Sequence, residues 1–211
     1  MKHLSTIMIS ALSLILSAAG LDAQQHNDAL SAFAARMLSS RAAFDYSFTI
    51  DDGRVKMNGS GNVIVQGSSY YMAGNGLEIW CDGTSRWTSD VAAREAVIES
   101  VDGNQAVIAN PAMLVGNLDR EFSWSGNGEA GMFNSQPAKV FTLEAVENAE
   151  VGDAVIYMDK AGETITGAEI SLPDGSKMTF VISSFRFSNP GPLSDFSPAE
   201  FSGGWIVTDL R

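Results

Sequence analysis

The alternation of apolar and polar positions divides the chain into one helix followed by many short strands. Leu30, Phe33, Ala34, Met37 and Leu38 recur three and four residues apart, which places one apolar stripe on a helix that Asn27 or Asp28 can cap. Phe44, Tyr46, Phe48 and Ile50 then alternate strictly, and Asp51-Asp52-Gly53 supplies a turn into a strand reaching Val65. Gly59 and Gly61 fall on one face of that strand, where a sheet bends sharply or a neighbour approaches closely. Further strands are predicted over 70–73, 77–81, 86–89 and 96–101, separated by Gly74-Asn75-Gly76 and Asp82-Gly83.

The pattern then breaks. Asn110-Pro111 starts a short apolar helix, Ala112 to Val115, that Gly116-Asn117 ends. A helix this short has little stability of its own and needs an apolar support, either the core or an opening that it covers. Strand signals resume over 121–125, 138–146, 154–158, 164–172 and 176–187, with a tight turn at Asp174-Gly175. Several of these, such as Met178, Phe180, Val181 and Ile182, are apolar on both faces, so both faces should be covered. The tail, rich in Pro, Gly and large apolar residues, ends as a short strand over 205–210. About ten antiparallel strands with short connections predict a mainly β (α+β) fold in one domain, an incomplete barrel or strongly curved sheet.

The first residues read as an address. Lys2, an apolar run from Ile7 to Leu16 and small residues up to Ala23 predict a signal peptide over 1–23, leaving a domain over 24–211. The run is shorter than the ~20 residues of a spanning helix. Cys81 is the only cysteine, so no internal disulfide can form, and it reads as a small buried hydrophobe. A net charge of −12 argues against nucleic acid as a partner, since that needs a surface of clustered Lys and Arg, and disfavours an anionic membrane. Beyond residue 23 the only histidine is His26, which removes Ser-His-Asp catalysis and the usual zinc ligand sets. No catalytic residue, metal or cofactor is therefore expected. Gly126-Asn-Gly-Glu-Ala-Gly131 matches a dinucleotide-binding pattern only on paper, since no helix follows it.

What remains is a surplus of aromatic and methionine side chains, which suits a cavity for apolar cargo. The candidates for cavity and lid are Phe48, Tyr71, Trp80, Trp87, Ile98, Met113, Leu114, Phe141 and Phe180. Other readings stay open: a facing carboxylate pair in a polar cleft would mark a carbohydrate-active enzyme, and a filled core would mark a structural module.

The order of motifs resembles a known family. An amphipathic helix, FDYSFTI, the Gly59-Ser-Gly61 strand, a tyrosine strand, Cys81-Asp-Gly to Trp87, NPAMLVGN and the closing VTDLR are similar to the LolA-type outer-membrane lipoprotein carriers. The resemblance spans the whole chain after residue 23. It implies an incomplete β-barrel over a hydrophobic cavity, with 110–117 as a lid helix. It also implies a periplasmic monomer that takes triacylated lipoproteins from an inner-membrane ABC transporter complex and passes them to an outer-membrane acceptor. A same-fold sensor that binds such a ligand without shuttling it is the alternative within the resemblance. Where family members often carry Arg-Pro after the G-x-G strand, this chain has Gly67-Ser68, so either another residue such as Arg86 or Arg94 holds the lid or the lid is controlled differently. A carrier has a physical purpose here, since exposing a chain of about sixteen carbons to water costs on the order of 12 kcal/mol.

Overall fold

The computed structural model describes residues 28–101, 118, 122–147, 152–172 and 174–211. The predicted signal segment and the predicted helix after Asn110, with Met113 and Leu114, lie outside the described residues.

The one long helix described, α1 (Ala29–Ser39), begins where the sequence offers a cap. The Ser31 amide donates to Asp28 Oδ1 at 2.9 Å, and the Trp124 indole Nε1 donates to Asp28 Oδ2 at 3.1 Å. The cap is thus also a bolt to a residue distant in sequence. Leu30, Phe33 and Met37 form its buried stripe.

Thirteen strands follow among the described residues. The first six are β1 (Arg41–Asp51), β2 (Lys56–Gln66), β3 (Ser69–Gly74), β4 (Leu77–Cys81), β5 (Ser85–Asp90) and β6 (Glu95–Ser100). After them come β7 (Phe122–Ser123), β8 (Glu129–Phe133), β9 (Gln136–Ala145), β10 (Ala154–Asp159), β11 (Ile165–Ser171), β12 (Lys177–Ser188) and β13 (Ile206–Asp209). They form one sheet in the order β13-β6-β5-β4-β3-β2-β1-β12-β11-β10-β9-β7, with β8 also on β9. The path does not return on itself, so the sheet is an open, incomplete barrel as the alternation predicts.

Two strands depart from the reading of the sequence. β8 was not predicted, and β13 joins β6 in parallel where an antiparallel sheet was expected. A parallel partner needs a long crossover, and residues 189–205 provide it. This segment, here called the strap, leaves β12 and includes a 3-10 turn at Leu193–Phe196 that packs on β3. Arg41 fastens it, donating to Asp195 Oδ2 at 2.7 Å and to the Pro192 carbonyl at 3.2 Å. The Gly191 amide donates to Gln66 Oε1 at 2.9 Å, and Phe196 is buried.

The register defines two faces. The inner one carries Phe44, Tyr46, Val63, Val65, Tyr70, Met72, Phe141, Leu143, Ile156 and Phe180, packed around α1. A bulge in β12 keeps it apolar: Ser184 and Phe185 together oppose Phe44, with Ser184 at φ +54°. The extra residue returns Phe185 and Phe187 to the inner face, where both rings meet Phe33 at 5.3 and 5.6 Å.

Candidate functional site

The glycines of β2 shape the inner face. Gly61 opposes Tyr46 and Gly59 opposes Phe48, so each aromatic ring lies across a strand position that has no side chain. A methyl group on Gly61 would stand 2.2 Å from the Ala73 carbonyl oxygen, and one on Gly74 2.4 Å from that of Ser60. β2 and β3 therefore approach more closely than residues with a Cβ allow, and the sheet turns there. Phe48 also meets Phe180 at 6.1 Å and Tyr46 at 6.3 Å.

Past this aromatic group the inner face stays apolar while its burial falls. Phe48, Ile50, Ile79 and Val97 are half-buried, and Leu77 and Met57 are 41 % and 57 % exposed. This apolar strip leads from the core to water, and single exposed residues do not explain it. Beside it the face ends in a polar group. Arg86 donates to Glu99 Oε2 through Nη2 at 2.7 Å and Nε at 3.2 Å, next to Tyr70 and Cys81. Burial pushes the Tyr70 phenol up to about 12 and raises the Cys81 thiol. Burial works against the Arg86 charge, and the Glu99 carboxylate outweighs it. Cys81 is the buried strand hydrophobe that the sequence suggests.

The structure divides the sequence-predicted candidates between two faces. Phe48, Phe141 and Phe180 lie on the inner face; Phe141 and Phe180 are buried in the core. Tyr71, Trp80, Trp87 and Ile98 stand in direct register across β3 to β6, on the outer face. Tyr71 and Trp80 meet at 5.3 Å, and the strap covers the far end of the row. There Trp87, Ile98, Pro198, Ala199, Glu200, Phe201 and Val207 line a groove of about 330 Å³. Met57, Leu77 and Val97, which extend the inner strip, were missed by the sequence reading. Their signal was register with Phe48 and the glycines, and register is a property of the sheet.

A polar cleft of about 640 Å³ lies where β9 loses one edge partner and gains the next, lined by Ser123 to Glu129, Thr142 and Glu144. The Gly126 to Gly128 segment is the loop before β8, with both glycines at positive φ, and no helix follows it. Among the described residues no group of three His, Cys, Asp or Glu could hold a metal ion. None of the described helices is long and apolar enough to cross a membrane. Arg94 donates to the Gly203 carbonyl at 3.4 Å.

No family model matches the sequence, and no curated protein matches it. Among solved structures, the chain is similar to a conserved protein from Thermus thermophilus, with a TM-score of 0.54 at 8 % identity, over 85 % of this chain and 96 % of that one. It is also similar to a LolA superfamily protein from Nitrosomonas europaea (TM-score 0.43, 9 % identity, 80 % and 96 % covered). A DUF1329 family protein from Desulfovibrio piger gives a TM-score of 0.43 at 13 % identity, with 81 % and 98 % covered. The Thermus likeness establishes a shared fold, and the two weaker ones add nothing to that.

Proposed function

We propose that this protein binds the acyl chains of lipid-modified proteins on the inner face of its open sheet and carries them between membranes, without catalysing a reaction. The observation that carries the reading is the apolar strip from Phe48 through Met57, Leu77 and Ile79, which continues the core to an exposed margin. Such a strip covers a flexible hydrocarbon without needing polar groups to fix it. The motif order in the sequence supports the same reading, including a periplasmic site of action. It also supports receipt from an inner-membrane transporter and delivery to an outer-membrane acceptor.

Native mass spectrometry with a synthetic triacylated lipopeptide tests the proposal. The purified protein should form a one-to-one adduct. Met57→Glu with Leu77→Glu should lose at least about tenfold in affinity, because burying charge against hydrocarbon is costly. Leu193→Glu, on the exposed strap, should bind as the parent does. An adduct unaffected by the inner-face double variant would overturn the assignment, as would no adduct with the parent protein.

A further inference from the structure

The β13 edge is built differently from the rest of the sheet. The Ile206 amide donates to the Arg94 carbonyl at 2.9 Å and the Leu210 amide to that of Ile98 at 2.8 Å. In a parallel ladder these alternate residues face β6, so Val207 and Asp209 turn their amide and carbonyl groups outward. All four residues of the strand are exposed; Ile206 is 64 %, Val207 42 % and Leu210 62 % exposed. The edge is short and carries no proline, lysine or bulge; its only charged side chain, Asp209, is paired with Arg211 beyond the strand.

Two further observations describe what would fit there. On the inner face, Asp90 and Glu95 stand directly opposite each other in the row that ends on Ile206. Like charges in that relation repel, and neither forms an ion pair among the described residues, while Arg94 turns to the Gly203 carbonyl. On the outer face, Val207 forms the rim of the groove floored by Trp87 and Ile98 and walled by Phe201. A strand added beyond β13 would set its side chains alternately beside Ile206 and Thr208, within a long side chain's reach of Glu95 on β6, and beside Val207 at the groove rim.

We infer that the β13 edge docks an extended segment of a partner protein in which basic and large apolar side chains alternate. The backbone of the segment pairs with Val207 and Asp209, its basic residues reach Glu95 across Ile206, and its apolar residues continue the groove rim at Val207. A second copy of this chain is a poor occupant. Neither β13 nor β8 carries a Lys or Arg, and the net charge is −12.

The test uses the purified protein and a short peptide alternating Lys with Leu and Val, read by fluorescence anisotropy at low and high salt. Binding should weaken by about tenfold or more when Glu replaces Lys in the peptide, or when its alternate backbone nitrogens are methylated. Val207→Pro removes an outward amide that β6 does not use, so it should stay folded by circular dichroism and lose binding by a similar factor. Glu95→Lys should reverse the preference between the two peptides. Equal binding of the Lys and Glu peptides, or full binding by folded Val207→Pro, would overturn the inference. So would no peptide binding at millimolar concentration, or a dimer of the protein in sedimentation that Val207→Pro dissolves.

Discussion

Gly61 shows how one missing side chain shapes the sheet. Its hypothetical Cβ meets the backbone at Ala73, which cannot move without displacing β3, whereas that of Gly59 meets the ends of the Phe48 and Asn75 side chains. Gly61→Ala is therefore expected to cost about 2–3 kcal/mol, and Gly59→Ala less, because rings can shift where a ladder cannot. Urea titration of the two variants compares them; equal losses would mean that the bend does not depend on Gly61. Tyr70 makes a second prediction. Its phenol ordinarily titrates at 10.0 and is pushed up to about 12 by burial. Below pH 10 the group is neutral in both states. Between pH 10 and 12 the unfolded chain releases the proton first, so stability falls as pH rises, by up to about 2–3 kcal/mol. Tyr70→Phe should flatten that part of the stability profile.

At the scale of elements, β12 depends on one irregular residue. Ser184 sits at φ +54°, a conformation that is unfavourable for side chains branched at Cβ. Ser184→Val is expected to be less stable than Ser184→Gly by about 1–2 kcal/mol, measured by thermal unfolding. The bulge also explains a limit of the sequence reading. Strict alternation from Met178, Phe180 and Ile182 places Phe185 and Phe187 on the opposite face, yet both pack on Phe33. By contrast the start of α1 was legible, because the Asp28 cap is a contact over three residues. The strand bounded by Gly59 and Gly61 was legible for the same reason: glycine spacing and alternation are local.

The candidate binding residues were legible as a class and not as a place. Covering on both faces was expected for strands such as that of Met178 to Ile182; α1 covers the inner face of the sheet, and the strap lies on the outer face at β3, β5 and β6 instead. The strap was visible in the sequence only as an irregular tail. Its route depends on Arg41 meeting Asp195 across 154 positions of chain. The register of β3 to β6 places Tyr71, Trp80, Trp87 and Ile98 on the face away from Phe48, and the strap covers the end of that row.

At the scale of the molecule, every strand among the described residues belongs to one continuous sheet with α1 on its inner face. We expect unfolding in urea to be a single transition, with tryptophan fluorescence and far-ultraviolet circular dichroism coincident. Trp80, Trp87 and Trp205 report the strap side and Trp124 reports the α1 cap, so two separated midpoints would show that these regions unfold independently.

The sequence by itself determined the helix and its cap, most of the strands, the glycine bend and the buried cysteine. Each depends on residue type and short spacing, which the chain carries at every point. Only the tertiary structure decided which face each strand turns to α1, where β13 joins and what the strap covers. A period of two marks two faces and labels neither; the choice is made by tertiary partners, from α1 on β2 to β12 on β1 and the strap on Arg41, the last two more than a hundred residues apart in the chain.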